Sequence, residues 1–156
     1  MAAHVTADDI QRSPTASAAR LNGTCLCERV AVTLDLIVPY GMKCYCTFCR
    51  KVSGSAFAAV VLTRPRHWSI ERGREQLASF EATPATERWH CRVCFAHVYT
   101  EVRDRPEVPI FVSAALFEPT HLASVRFDHI FVKSAPAWHV LSEDGAPRHP
   151  SYPDPG

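Results

Sequence analysis

The run Cys44-Tyr45-Cys46-Thr47-Phe48-Cys49 places three thiols within six residues, and no other stretch constrains the fold so tightly. Two pairs complete the pattern, Cys25-Leu26-Cys27 upstream and Cys91-Arg92-Val93-Cys94 downstream, so all seven cysteines lie in clusters. Thiols that merely fill a core are placed singly on apolar faces. Spacings of two and three residues are those of metal ligands. Disulfides fit poorly, because the count is odd and a bridge across Cys-x-Cys closes a strained loop.

Zinc takes thiolate sulfur at about 2.3 Å in a tetrahedron, so its ligands must converge to within about 4 Å of one another. Residues two apart on a straight strand point the same way but lie about 7 Å apart. Each Cys-x-Cys must therefore bend around the metal. Seven thiolates divide as four plus three. Four thiolates close a structural site, whereas three leave one vertex for water or substrate. One loop can deliver Cys44, Cys46 and Cys49, which leaves Cys25, Cys27, Cys91 and Cys94 for the closed site. Spacing alone leaves another division open, since Cys25 and Cys27 with Cys44 and Cys46 would also complete a tetrahedron.

Outward from the cysteines, the apolar pattern is short and β-rich. Val30–Leu34, Ala58–Thr63, Trp68–Ile70, Leu77–Phe80, Val98–Val102, Ile110–Val112 and Phe127–Val132 read as strands of an antiparallel β domain with little helix. Twelve prolines against six glycines suit many short elements joined by turns. One helical turn is expected, capped by Thr47 and ended by Gly54. At 156 residues the chain is one domain long. We read residues 1–20 as a flexible amino-terminal segment, 21–141 as a zinc-binding β domain, and 142–156 as a Pro-rich, poorly packed tail.

Lys and Arg total 17 against 16 Asp and Glu, a net charge of +1, which argues against nucleic acid as a partner. The first twenty residues lack the apolar run of a secretory signal, and no later stretch has the length of a membrane helix. The expected location is the cytoplasm, where thiols stay reduced and clustered cysteines favour metal or catalysis.

The three cysteine clusters have a family resemblance. Asn22-Gly23-Thr24-Cys25-Leu26-Cys27, the stretch from Cys44 to Ser55, and Cys91-Arg92-Val93-Cys94 resemble the family of the glutathione-dependent formaldehyde-activating enzyme, which also includes centromere protein V. Less specific matches at Ala96–Tyr99, Ala115–Pro119 and His129–Trp138 extend the resemblance over residues 22–139. It implies a β-tent fold of small antiparallel sheets joined by two zinc ions. The first and last pairs would hold a structural zinc, and Cys44, Cys46 and Cys49 the zinc associated with activity. By resemblance the protein is a zinc-dependent carbon–sulfur lyase acting on a thiol–aldehyde adduct such as S-hydroxymethylglutathione, with a small thiol, glutathione foremost, as its partner. The other reading is a non-catalytic zinc-stapled β module that binds protein or peptide, its triplet completed by a histidine. Two departures stand out: Tyr45 where the family commonly has His, and Phe95 where it has Gly. The second implies a changed turn or local strain.

Arg50 and Lys51 follow the triplet and are candidate contacts for the carboxylates of a glutathione-like thiol. His90 and His97 flank the last pair, but with enough thiolates present they read as ordinary strand residues. Trp68, Trp89 and Trp138, with Phe111, Phe127 and Phe131, read as core aromatics. Phe48 and Phe57 are candidate walls of the open site.

Overall fold

The computed structural model describes residues 19–36, 39–106 and 108–153, so the reading of the first eighteen residues lies outside the described residues. The alternating runs become strands β1 (Ala19–Thr24), β2 (Ala31–Leu36), β3 (Tyr40–Cys44), β4 (Ala58–Thr63), β5 (Trp68–Arg72), β6 (Leu77–Thr83), β7 (Thr86–Cys91), β8 (His97–Val102), β9 (Ile110–Ser113), β10 (Arg126–Ile130) and β11 (Arg148–His149). Between β3 and β4 lies helix α1 (Thr47–Ser53). The chain is mainly β, as its sequence pattern predicts, and no helix among the described residues is long and apolar enough to cross a membrane.

The strands form two sheets, β1-β2-β5 and β11-β10-β3-β4-β9-β8-β7-β6. The antiparallel expectation needs one correction. β10 runs parallel to both β3 and β11. Hairpin neighbours are forced to be antiparallel, but β10 reaches β3 after half the chain has intervened, and a long crossover leaves either direction open.

Val61, Val98 and Val112, all at 0% exposure, cross the middle of the larger sheet on β4, β8 and β9. They belong to an apolar cluster that also holds Cys25 and Cys91. A second cluster gathers Tyr40, Met42, Ile130, Cys44 and Cys49. Each cysteine group thus sits on its own apolar nucleus. Trp68 and Trp89 pack on Tyr99 with ring centroids 4.6 and 5.6 Å apart. Trp138 does not join the core; it is 73% exposed.

Within the segment after Ser142, Asp144, Arg148 and His149 are tied to the larger sheet, although most of its described residues are exposed. Asp144 accepts from Lys43 at 2.9 Å and contacts the ring of buried His129 at 3.1 Å, and Arg148 and His149 pair with His129 and Ile130. These anchoring groups are isolated polar side chains, which leave no periodicity to read in the sequence.

Candidate metal centres

The quartet is built by two hairpin tips from different sheets. The β1–β2 tip closes with the Glu28 amide on the Cys25 carbonyl at 2.8 Å and the Cys25 amide on the Val30 carbonyl at 3.0 Å. The β7–β8 tip closes in the same manner, the Phe95 amide on the Cys91 carbonyl at 2.9 Å and the Cys91 amide on the Ala96 carbonyl at 3.0 Å. In each tip the residue after the last cysteine has left-handed backbone, Glu28 at φ 59° and Phe95 at φ 61°. That conformation turns the chain sharply enough for neighbouring sulfurs to face one point. The four sulfurs all lie within 4.8 Å of one another, with Cys25 to Cys27 at 3.6 Å and Cys27 to Cys91 at 3.7 Å. Tetrahedral zinc holds its sulfurs about 3.8 Å apart, so this donor set fits such an ion. The Val30 amide lies 3.3 Å from the Cys25 sulfur, a donor suited to a thiolate.

Phe95 carries the strain read from its sequence position. It is 75% exposed, and its ring contact in the tip is with His90 at a centroid distance of 6.3 Å. Phe95→Gly should relieve the left-handed backbone of its Cβ penalty with little packing lost. The expected result is stabilisation of about 1 kcal/mol, seen as a melting temperature about 2–4 °C higher by circular dichroism. A lower melting temperature would show that the ring contact outweighs the backbone term.

Cys44 is the last residue of β3, Cys46 caps α1, and Cys49 lies in its first turn. The cap differs from the expected Thr47: the Cys46 sulfur accepts from the Cys49 amide at 3.4 Å, one position earlier in the chain. Gly54 ends the helix as predicted, at φ 61° with its amide on the Arg50 carbonyl. All three sulfurs lie within 4.8 Å of one another, and no fourth Cys, His, Asp or Glu joins them among the described residues. Alternation along the chain sends Tyr45 to the opposite face, where it is 1% exposed and its hydroxyl meets His129 Nδ1 at 2.9 Å. Burial pushes its phenol up. The departure from histidine at this position therefore leaves the sulfur side of the loop untouched.

Arg88, which sequence reading missed, donates from Nη2 to the Cys49 sulfur at 3.3 Å and is itself only 8% exposed. β7 stands four places from β3 in the larger sheet, about 19 Å away were the sheet flat, beyond the reach of an arginine. The contact exists because the sheet twists and curls back on itself. The hydrogen bond from Cys44, followed by the charge of Arg88 and its hydrogen bond, pulls the Cys49 thiol down against the opposing effect of burial. Cys44 moves up, through its bond to Cys49 and then through burial.

Tyr152 is a second residue that sequence reading missed. Its ring stands edge-on to Phe131 at 5.0 Å, and Phe131 packs against the apolar cluster containing the triplet.

The remaining candidates separate clearly. Arg50 turns its Nε to the Tyr45 carbonyl at 3.2 Å, and Lys51 is exposed on α1. His97 meets Thr100 Oγ1 at 2.9 Å, and burial, then the charge of Arg88, lowers it to about 4. It is neutral at pH 7 and, like His90, stands outside both sulfur groups. Phe57 packs on Tyr45 and His139, and Phe48 is 55% exposed.

A Penicillium rubens protein is 28% identical over 88 residues, which is 56% of this chain and 46% of that protein. This chain therefore spans about half the length of that relative. A Halomonas elongata protein is 25% identical over 141 residues, covering 86% of this chain and 89% of its own. Both carry the name "Putative glutathione-dependent formaldehyde-activating enzyme". A Rhodobacter sphaeroides crystal structure superposes with a TM-score of 0.56 at 25% identity, covering 69% of this chain and 99% of that one. The profile described as "Glutathione-dependent formaldehyde-activating enzyme" matches residues 20–134, a span that holds every cysteine together with Arg88. By that match over most of its length, the chain belongs to the glutathione-dependent formaldehyde-activating enzyme family.

Proposed function

We propose that this protein is a two-zinc enzyme that makes or breaks the carbon–sulfur bond of a thiol–aldehyde adduct, with glutathione and formaldehyde as its reference substrates. The observation that carries this reading is the contrast between the groups: four sulfurs converge in one and three in the other. Cys25, Cys27, Cys91 and Cys94 would hold a closed structural ion, and Cys44, Cys46 and Cys49 an ion with one vertex open. Zinc bound there supplies a Lewis acid that lowers the pKa of a substrate thiol and polarises a carbonyl oxygen.

The residues of the chain do the rest. Cys44, Cys46 and Cys49 fix the open vertex, the Cys49 amide steadies Cys46, and Arg88 steadies Cys49. Lys51, exposed on α1, and the remaining guanidinium donors of Arg50 would take the carboxylates of a glutathione-like thiol. In the forward reaction the thiol sulfur bonds to the carbonyl carbon, the C=O π bond opens, and the proton leaves sulfur for oxygen through solvent. No electrons are exchanged with a further reagent. Thiolates of this kind persist in a reducing compartment, which fits the cytoplasm.

The rival binding-module reading needs a protein-supplied fourth ligand at the triplet. His97 is neutral and engaged with Thr100, and His129 is held between Tyr45 and Asp144. Exchange NMR on mixtures of formaldehyde with several thiols tests the enzyme reading. Metal-loaded protein should accelerate adduct exchange at least about tenfold over the spontaneous rate, and Cys46→Ser or metal-stripped protein should not. Equal rates with and without the triplet would dismiss the enzyme reading.

A further inference from the structure

Among the described residues Arg88 is a buried cation without a carboxylate. Its Nε has no hydrogen-bond partner. Its sequence neighbour Glu87 is engaged elsewhere, accepting from Arg103 at 3.1 Å and from Ser79 at 2.6 Å. A guanidinium cannot shed its proton to escape the cost of burial, so it requires an anion. The anion the fold supplies is the Cys49 sulfur, 3.3 Å from Nη2.

We propose that Arg88 is the permanent counter-charge of the three-cysteine site, and that its charge tunes the open vertex to accept an anionic thiolate. The inference rests on the triplet being an open metal site. Three thiolates with a divalent ion sum to one negative charge, and a substrate thiolate would bring the total to two. In a buried setting that second charge is strongly disfavoured unless a cation stands beside it. Arg88 stands there already, placed by the curl of the sheet. It acts through Cys49 and the local field, and is therefore a positioning residue. A purely structural arginine would steady the fold and leave ligand preference unchanged.

Cobalt(II) is the probe, since its thiolate charge-transfer and ligand-field bands report on coordination without turnover. Protein loaded with cobalt is titrated with 2-mercaptoethanol, and the spectral change gives the thiol affinity of the open site. Cys46→Ser, lacking that site, supplies the background from the quartet. Arg88→Gln keeps a hydrogen-bond donor and removes the charge; Arg88→Lys keeps the charge and loses the fork. The expected result is a thiol affinity about tenfold to a hundredfold lower in Arg88→Gln and largely retained in Arg88→Lys. Arg88→Gln binding thiol as wild type does, or Arg88→Lys losing as much as Arg88→Gln, would overturn the proposal. Should Arg88→Gln fail to fold, Arg88→Lys alone decides: a loss beyond about tenfold overturns the charge role, and retained affinity supports it. Wild-type protein that loads a single cobalt would remove the open site and this role together. Two cobalt ions with a thiol affinity indifferent to Arg88 would remove this role alone.

Discussion

Cys91→Ser should abolish the stable fold, whereas Cys46→Ser should leave it nearly intact and cost one metal ion. Cys91 is 0% exposed and stands where the tip of the larger sheet meets Cys25 and Cys27 from the smaller one. A hydroxyl in its place gives a weak zinc donor and breaks the join between sheets. Structural zinc contributes about 10–16 kcal/mol in small zinc domains, against a total stability of about 5–15 kcal/mol for an ordinary domain. Half of that contribution, about 5–8 kcal/mol, already equals the whole stability of a marginal domain, and losing most of it is enough to unfold the chain. At position 46 the arithmetic runs the other way. The sulfur there caps α1, and serine is among the best helix caps, so the Cys49 amide keeps a partner. The melting temperature of Cys46→Ser should fall by no more than about 4 °C, a loss of about 1 kcal/mol. Cys91→Ser should lack a cooperative transition. Circular dichroism melts with metal counting on both variants check this, and an equal loss in the two would contradict the division of the sulfurs.

What the sequence displayed and what it hid follow from how each contact is encoded. Ala58–Thr63 was readable to the residue because its apolar run is bounded by turns and buried almost throughout. β3, Tyr40-Gly41-Met42-Lys43-Cys44, was not, since a glycine and a lysine break its pattern and only pairing on both sides by β10 and β4 makes it a strand. β7 escaped for a related reason: Thr86-Glu87-Arg88-Trp89-His90-Cys91 reads as a polar run. Arg88 is buried there because the sheet curls over it, which no local periodicity records. The quartet and the triplet were legible because metal ligation imposes short spacings on the chain itself. Arg88 was not, since it reaches Cys49 across a long separation in sequence and only the folded sheet brings it there. The left-handed Phe95 was foreseeable only through the family resemblance, which implies a glycine at that position, while Phe131, at φ 58°, carried no such signal.

Gly73→Ala should be among the most damaging single-methyl changes in the protein, and it should damage the quartet from a distance. Gly73 directly follows β5 at φ 79°, and a Cβ there would collide with the Arg29 carbonyl oxygen and lie 3.1 Å from Val30 Cα. Both obstacles are backbone, so no side chain can swing aside. The Arg29–Val30 segment cannot shift without loss either: Val30 carries the amide facing the Cys25 sulfur and the carbonyl that binds the Cys25 amide, and Arg72 holds the Glu28 carbonyl at 2.7 Å. Left-handed strain and overpacking each cost about 1–3 kcal/mol, so the sum should reach about 3 kcal/mol or more, a fall of about 6–12 °C in melting temperature. Gly54→Ala supplies the control, because Gly54 shares the left-handed backbone at φ 61° and has nothing within 4 Å of its would-be Cβ. That variant should lose only about 1 kcal/mol, the backbone component alone. The difference between the two melts isolates the collision with Arg29, and a cobalt titration should show weaker binding at the quartet in Gly73→Ala alone. Equal melting temperatures for the two variants would mean that the β5 turn yields freely, and that the geometry of Cys25 is not held from behind by the end of β5.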